Sequence, residues 1–369
     1  MNFAFRVDAS TQIGTGHVMR CLTLAEELRR QGHTCVFICR DHPGHLGKLI
    51  STRNFLVHLL TIGDEQEHHH EVAYENAHAK WLQVSWRTDA LQTLSVLEGH
   101  AQFDWLIVDH YAIDSEWEQL LASKVHKLMV IDDLLDRPHR CDILLDQNVL
   151  DTAAETRYKE LVNPSCQLLL GPHYALLAPE YGSFARSLPE RDGSISRILI
   201  FVSGSDPHHL TERYLQAVSN DALHHLSVDV VIGKNHPTPA VVRQLATKRP
   251  NTRVYADLPS LAALMVRADL MLGAGGTTNW ERLCLGLNSL VTSIAYNQQA
   301  INEQLASRGL IEFLQSVEDL TEEKISTKLR FVLSNPNHLA EQSRTMRAAV
   351  DGLGVAKVIQ LMLDQQDDA

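Results

Sequence analysis

The sequence predicts an α/β protein with two Rossmann-like domains, each built on a parallel β-sheet. Its 369 residues exceed what a single hydrophobic core usually serves. Short apolar runs alternate with amphipathic helical segments, which is the pattern of a parallel sheet with helices on both faces. The alternation restarts after residues 175–195, where Pro179, Pro189 and the run 191–194 interrupt it. We expect a first domain over residues 1–180, a second over 190–340, and a helical segment over 341–369 that packs back on the body.

The first half of the chain contains six candidate strands and four helical patterns. The strands are predicted at 3–8, 34–39, 55–60, 105–109, 128–132 and 143–146. The helices are predicted at 17–31, 44–53, 84–99 and 114–123. Along the first helix, Val18, Cys21, Leu22, Ala25 and Leu28 recur at three- and four-residue spacing, which suits one buried face.

The second half repeats this rhythm. Strands are predicted at 198–202, 228–232, 253–255, 270–272 and 290–293. Helices are predicted from about 211 and at 239–249, 259–267, 277–286, 298–308, 320–334 and 337–368. Two similar halves whose sheets face each other would create a cleft, the usual location of a ligand that contacts both.

A glycine-rich turn links the first strand to the first helix and carries Gly14, Gly16 and His17. The glycines allow a tight turn, and the first N–H groups of the helix favour an anion. The positive end of the helix disfavours an imidazolium, so we expect a neutral His17 that can accept a proton from water or a hydroxyl. The alternative is that His17 only caps or packs the helix. The turn lacks the third glycine of a dinucleotide fingerprint and the Lys-Ser/Thr of a P-loop.

A second glycine-rich turn follows the apolar strand near residue 272. The backbone N–H groups of Gly275, Gly276, Thr277 and Thr278 can hold a diphosphate at the start of a helix. Glu281 lies about one turn into that helix, where its carboxylate can accept two hydrogen bonds from a ribose diol. The alternative is a capping box, in which Glu281 bonds the first backbone groups of its own helix.

Two amides follow the next strand of the second half. Asn297 and Gln298 lie at a strand's carboxyl end, where open α/β sheets bind ligands. Structural loop amides are equally compatible with this spacing.

The composition excludes several classes of protein. The chain is 44% hydrophobic and 21% charged, which is a globular composition, and its net charge of -12 excludes a uniformly basic nucleic-acid surface. No apolar run approaches the length of a membrane span, and no signal peptide is expected. The six cysteines are scattered without a Cys-x-x-Cys, so we expect a reducing, cytoplasmic location. No cofactor and no metal site is expected, and Asp132-Asp133 is interpreted as structural.

Seven motifs occur in order over roughly residues 3–310. They are Arg6-x-Asp8-Ala9-Ser10-x-x-Ile13-Gly14-x-Gly16-His17-x-x-Arg20, Val108-Asp109-His110-Tyr111, Ile131-Asp132-Asp133, Cys141-Asp142-Ile143-Leu144-Leu145-Asp146-Gln147-Asn148, Gly171-Pro172-x-Tyr174-Ala175-Leu176-Leu177, Gly273-Ala274-Gly275-Gly276-Thr277-Thr278-x-Trp280-Glu281-Arg282 and Ala295-x-Asn297-Gln298. Together they resemble one family, the UDP-sugar hydrolases of pseudaminic acid biosynthesis (PseG-type). The glycine turns and the glutamate also occur more widely in GT-B glycosyltransferases.

This resemblance implies a GT-B fold in which the C-terminal domain holds most of the UDP. It also implies hydrolysis of UDP-2,4-diacetamido-2,4,6-trideoxy-β-L-altropyranose, in which water attacks the anomeric carbon and the C–O bond breaks with inversion. By motif position, His17 is implied as the general base. The substrate-binding residues that the resemblance implies are Asp8, Gly14, Gly16, Arg20, Tyr111, Gly275, Gly276, Thr277, Thr278, Glu281, Asn297 and Gln298. The expected partner is a small-molecule UDP-sugar, with no nucleic acid and no membrane.

Two other functions remain compatible with these residues. A GT-B glycosyltransferase could use the same UDP site and transfer the sugar to a hydroxyl, since deprotonating an alcohol and deprotonating water are the same task. A non-catalytic sensor could keep the UDP site without turnover, although it would have no use for His17.

Overall fold

The computed structural model describes residues 1–62 and 76–365, apart from the side chain of Asn297. The chain folds into two compact units, one formed by Met1–Leu176 with Gly354–Ala369 and the other by Leu177–Leu353. Each unit contains one sheet whose strand pairs are all parallel. The predicted α/β class is therefore confirmed.

The sheet of the first unit has seven strands in the order β3-β2-β1-β4-β5-β6-β7. They are β1 (Asn2–Val7), β2 (Thr34–Arg40), β3 (Leu56–Leu60), β4 (Phe103–Asp109), β5 (Val125–Ile131), β6 (Ile143–Asp146) and β7 (Gln167–Leu170). The six predicted strands are present. Strand β7, which has only four residues, was not predicted. The helices of the first unit between β1 and β7 are α1 (Gly16–Arg30), α2 (Gly47–Thr52), α3 (Trp86–Glu98), α4 (Ser115–Leu121) and α5 (Ala154–Leu161), and α5 was not predicted either.

The sheet of the second unit has six strands in the order β10-β9-β8-β11-β12-β13. They are β8 (Arg197–Phe201), β9 (Ser227–Ile232), β10 (Thr252–Ala256), β11 (Leu270–Ala274), β12 (Asn288–Ser293) and β13 (Glu312–Ser316). The helices of this unit are α6 (Pro179–Ser187), α7 (Leu210–Ala217), α8 (Pro239–Thr247), α9 (Ala262–Arg267), α10 (Thr278–Cys284), α11 (Tyr296–Ser307), α12 (Glu322–Leu333) and α13 (Pro336–Ala349). Helix α6 and strand β13 were not predicted from the sequence.

The closing segment differs from the prediction of one helical stretch. It forms two helices, α13 and α14 (Gly354–Asp364), and they belong to different units. The break contains Gly352 at φ +72°, where an added Cβ would lie 2.5 Å from the Cα of Gly182. A side chain therefore cannot replace this glycine without moving the backbone. Helix α13 packs on α10, whereas α14 packs on α1 and buries Val358 and Ile359 in the core of the first unit.

Strand order decides which loops are neighbours in each unit. In the first unit β1 pairs with β4, and Val7 is in register with Asp109. In the second unit β8 lies beside β11 at the centre of the sheet. The strands that follow them in sequence, β9 and β12, lie on opposite sides of this central pair. The loops after such central strands are where open parallel sheets bind ligands. Among the described residues, no helix is both long and apolar enough to span a bilayer.

Candidate active site

An exposed turn leads into α1, and His17, near the start of the helix, is buried. The Gly14 N–H donates to the Ser10 carbonyl oxygen at 2.9 Å, and Gly14 adopts φ +82°, which glycine accepts without strain. Helix α1 begins at Gly16, and its N-cap Thr15 makes no side-chain capping bond. His17 therefore lies in the first turn of the helix, next to backbone N–H groups that precede the first intrahelical bond.

His17 is held by a buried carboxylate from the neighbouring strand. Its Nδ1 lies 2.6 Å from Oδ1 of Asp109, the last residue of β4. Arg20, one turn further along α1, donates to both oxygens of Asp109, at 2.6 Å from Nε and 2.7 Å from Nη2. Asp109 is fully buried, whereas the His17 side chain remains 10% exposed. The carboxylate thus lies behind the ring.

The charge on Asp109 fixes which nitrogen of His17 carries the proton. Burial alone would raise the pKa of Asp109, but Arg20 and then His17 hold it below its ordinary value. An ionised carboxylate can only accept a hydrogen bond, so the 2.6 Å contact places the proton on Nδ1. Arg20 Nη2 lies 3.3 Å from the same nitrogen, but its short bond goes to Asp109. In the neutral ring, Nε2 then carries the lone pair that a general base needs.

Tyr111 and Asp133 complete the surroundings of His17. The Tyr111 ring meets the His17 ring edge-on, with centroids 4.6 Å apart, and Trp81 stacks on Tyr111. The Tyr111 hydroxyl donates a short hydrogen bond to Asp133 Oδ1. Burial, and then Asp133, raise the pKa of Tyr111, so its phenol stays protonated as a donor. Asp133 also faces Arg20 Nη1 at 3.7 Å, so it connects Tyr111 to the arginine that holds Asp109.

The position of Asp8 favours a scaffold role over a direct substrate contact. It is fully buried, and both of its oxygens accept hydrogen bonds from Arg6, at 2.6 and 2.9 Å. The Arg40 backbone N–H donates to the same carboxylate at 2.6 Å, and His110 Nε2 lies 3.1 Å away. A group occupied in this way supports the carboxyl ends of β1 and β2 and offers no free oxygen surface to a ligand.

The second glycine turn, between β11 and α10, is only partly free to bind an anion. The Gly275 N–H donates to the Thr292 carbonyl oxygen at 3.1 Å. The prediction that this N–H binds a diphosphate is therefore not supported. The first bond of the following turn runs from the Asn279 N–H to the Gly276 carbonyl oxygen. Gly276 is exposed at φ +114°, and Thr277 is the N-cap by position but makes no side-chain capping bond. Among the described residues, the backbone N–H groups of residues 276–278 donate no hydrogen bond, as is typical of the first donors of a helix.

Glu281 on α10 does not form the capping box that was the alternative. Its carboxylate interacts with the Tyr181 hydroxyl, and its Oε2 is buried without a hydrogen-bond partner among the described residues. Burial raises the pKa of Glu281 to about 7, although Tyr181 opposes this shift. An acceptor atom with no partner is costly in the absence of a ligand that donates to it.

Gln298 lies beside the same turn. Its Oε1 accepts the Ile294 N–H at 3.0 Å, and an added Cβ at Gly276 would lie 3.7 Å from its Nε2. The structure thus brings Gln298 next to Gly276, as expected from two neighbouring strand ends. Asn297 lies next to Gln298 in the first turn of α11, but its side chain lies outside what the structure describes.

Asp109, Asp133 and Trp81 were not predicted as site residues. Asp109 and Asp133 belong to two of the motifs that carry the family resemblance, and each ends or follows an apolar strand. The signal that could have found them is the rule that strand ends of a parallel sheet share one edge. Trp81 lies in a short 3-10 turn. Asn76, which precedes this turn in sequence, donates to the Tyr111 carbonyl oxygen at 2.9 Å. Sequence periodicity gives no signal for that contact.

Comparison with known proteins supports the resemblance that the motifs indicate. Residues 198–359 match the model of the glycosyltransferase family 28 C-terminal domain. The chain is 25% identical over 311 residues to the UDP-2,4-diacetamido-2,4,6-trideoxy-beta-L-altropyranose hydrolase of Campylobacter jejuni, covering 84% of this chain and 97% of that protein. It is 22% identical to the spore coat polysaccharide biosynthesis protein SpsG of Bacillus subtilis, over 99% of this chain and 98% of that one.

The solved structures identify the fold. The crystal structure of Acinetobacter baumannii MurG superimposes with a TM-score of 0.61 at 15% identity, over 98% of this chain and 99% of that chain. At this identity the likeness concerns the fold alone. The chain therefore has two Rossmann-like units of the GT-B class, and the resemblance of its motifs to the PseG-type UDP-sugar hydrolases is confirmed.

Proposed function

We propose that this chain hydrolyses UDP-2,4-diacetamido-2,4,6-trideoxy-β-L-altropyranose to UDP and the free sugar, a step of pseudaminic acid biosynthesis. The similarity to the C. jejuni hydrolase indicates the substrate. The single observation that carries the chemistry is the 2.6 Å contact between His17 Nδ1 and Asp109, because it leaves Nε2 as a proton acceptor.

In this proposal His17 Nε2 removes a proton from water while the water oxygen bonds to the anomeric carbon. The bond between that carbon and the UDP oxygen breaks, its electron pair leaves with UDP, and attack opposite the leaving group inverts the configuration. Asp109 stabilises the imidazolium that forms and does not itself need to take the proton. Arg20 keeps Asp109 ionised throughout.

We assign UDP binding to the second unit. The N–H groups of residues 276–278 bind the diphosphate, and the unpartnered Oε2 of Glu281 accepts from the ribose. UDP is a good leaving group, so strong protonation of its oxygen is unnecessary. Each donor to the departing diphosphate contributes about 3–4 kcal/mol to the transition state.

Of the remaining predicted contacts, we assign Tyr111 and Asn297 to the sugar or the attacking water, and Gly14, Gly16 and Arg20 to the wall around His17. Arg20 acts through Asp109 in this assignment, because its short bonds go to that carboxylate.

A glycosyltransferase is the second candidate, favoured by the match to the glycosyltransferase family 28 C-terminal domain. The test is to incubate the purified chain with the UDP-sugar in water without an acceptor, and to follow UDP release and the anomeric signals of the sugar by NMR. Rapid stoichiometric release of UDP and free sugar, abolished in His17→Phe, supports hydrolysis. Release that requires an added alcohol acceptor would assign the chain to the transferases, and UDP binding without turnover would make it a sensor.

A further inference from the structure

A cluster of three buried side chains that could bind a metal lies in the second unit, and none of them belongs to the candidate active site. Asp206 follows β8, Glu212 is in the first turn of α7, and His236 follows β9. The parallel pairing of β8 with β9 brings these loops to one sheet edge. The three residues are spread over thirty positions, which is why the sequence predicted no metal site.

The donor atoms of this cluster are spaced for a small cation. His236 Nε2 lies 3.4 Å from Asp206 Oδ2 and 3.6 Å from Glu212 Oε2, and all three atoms lie within 4.8 Å of one another. Four ligands arranged tetrahedrally at zinc bond lengths lie about 3.3 Å apart. His236 and Glu212 are each 7% exposed, and within the described part of the chain neither His236 Nε2 nor Glu212 Oε2 has a hydrogen-bond partner. Two unpartnered atoms therefore point into one small space.

Several other buried acids of this chain pair with an arginine, and the charges around this cluster are arranged differently. Asp109, Asp132 and Asp229 each pair with an arginine. Among the described residues, by contrast, Asp206 and Glu212 form ion pairs with histidines alone. Buried carboxylates without a cationic partner are unfavourable unless a proton or a metal compensates them.

We propose that Asp206 Oδ2, Glu212 Oε2 and His236 Nε2 bind a divalent transition-metal ion of the zinc class, with water as the fourth ligand. The carboxylates are already oriented for this. The Leu210 and Thr211 N–H groups donate to Asp206 at 2.9 and 2.8 Å, and the Thr238 hydroxyl donates to Glu212 Oε1 at 2.5 Å. The Leu210 bond goes to Asp206 Oδ1 and the Thr238 bond to Glu212 Oε1, the oxygens that do not bind the metal, and such bonds fix the orientation of a ligand and increase metal affinity. The Thr211 N–H donates to the ligating Oδ2 itself, which keeps a second lone pair for the metal.

One hydrogen bond must be exchanged when the metal binds. The Thr238 N–H donates to His236 Nδ1 at 3.2 Å, so without metal the ring proton is on Nε2, facing the two carboxylates. Ligation through Nε2 moves that proton to Nδ1 and ends this long bond. Metal binding therefore breaks one hydrogen bond and forms three coordination bonds to the protein. The metal would join the loop after β8 to the loop after β9, and its role is structural and independent of the proposed hydrolysis.

The test uses the full chain, stripped with a chelator, desalted and titrated with Co²⁺ and then Zn²⁺. Visible absorption reports the coordination of Co²⁺, calorimetry gives the affinity for Zn²⁺, and circular dichroism gives the melting temperature with and without Zn²⁺. The variants are His236→Gln and Glu212→Gln, and the matched control is His225→Gln, an exposed histidine of the same unit. Two ligand variants are used so that a folding defect in one leaves the other informative.

We expect one equivalent of Co²⁺ with the intense absorption of four-coordinate cobalt, and a rise in melting temperature with Zn²⁺. Each ligand variant should weaken binding by at least about tenfold, since even outer-shell changes cost that much, and should lose the thermal shift, whereas His225→Gln should keep both. The proposal is overturned if the parent chain binds no metal, or if binding persists in both ligand variants and so comes from other histidines. Hydrolysis is not a readout, so the failure of this proposal and that of the proposed function are distinguishable.

Discussion

Asp109→Asn is the sharpest test of how His17 is activated, because it changes charge at almost constant shape. Asn can offer His17 either an amide N–H or a carbonyl oxygen. If the N–H faces His17, Nδ1 must accept, the ring proton moves to Nε2, and the base is blocked. If the oxygen faces His17, the amide N–H groups meet the Nε–H of Arg20, donor against donor. Neither orientation preserves the present arrangement.

Two magnitudes follow from this geometry. Loss of an oriented general base costs about 10²–10⁴ in kcat, or about 3–5 kcal/mol of barrier. Removing the charge also leaves Arg20 buried beside a neutral partner, which costs up to about 3–5 kcal/mol of stability when no other anion compensates. Asp133, 3.7 Å from Arg20, reduces that loss. The variant should therefore fold with a lower melting temperature and turn over very slowly.

The assay measures kcat and KM for UDP release without an acceptor, UDP binding by calorimetry, and the melting temperature. The matched control is Asp229→Asn, which removes another fully buried carboxylate, paired with Arg197 and Arg267 in the second unit. We expect both variants to lose stability, UDP affinity to stay within about twofold, and only Asp109→Asn to lose kcat. A folded Asp109→Asn protein with kcat within about threefold of the parent refutes the role given to this carboxylate.

Three further predictions follow. His17→Gln should lower kcat by about 10²–10⁴ while calorimetry finds near-normal UDP affinity, and near-normal turnover in the folded variant would remove His17 from the chemistry. Burial raises the pKa of Glu281 from 4.5 to about 7, so the folded state holds a proton there that the unfolded state releases, and the associated stability is lost as pH rises through 7. Glu281→Gln should therefore gain up to about 3 kcal/mol relative to the parent between pH 4.5 and 8, and parallel pH profiles in urea denaturation would contradict this. Gly275→Ala places a Cβ 2.3 Å from Asn302 Nδ2 and should weaken UDP binding by about tenfold. The control Gly99→Ala, whose added Cβ has its nearest contact at 3.4 Å, should leave UDP binding unchanged. Equal UDP affinities of Gly275→Ala and the parent would show that the turn tolerates a side chain.

The fold could be predicted because most strands are short apolar runs and most segments between them have the periodicity of amphipathic helices. The strands that were missed show where this signal fails. Strand β7 has four residues and begins with Gln167, and β13 carries Glu312 and Gln315 among apolar residues. Both are the last strand of their sheet, so fewer of their residues need to be apolar. Periodicity alone cannot separate such strands from loops.

The candidate site could be predicted only where it is local in sequence. His17 and Glu281 each lie within a few residues of a glycine turn, and the turn itself places them at a helix start. Asp109 is 92 residues from His17, and their contact depends on β4 lying beside β1. That neighbour relation is a property of the strand order, which no single segment encodes.

Asp8 and Asp109 show why even a correct strand order would not have assigned their roles. They lie at the carboxyl ends of two adjacent strands, both are fully buried, and both pair with an arginine. The difference is the direction from which the arginine comes. Each arginine donates to both oxygens of its carboxylate, but Arg6 comes from β1, the strand that Asp8 follows, whereas Arg20 reaches Asp109 from α1, the helix that also carries His17. Asp109 therefore holds a titratable ring towards solvent, and Asp8 holds the scaffold together. Identical residue types at equivalent strand ends acquire different roles from the element that supplies the counter-charge, and this is set by tertiary packing.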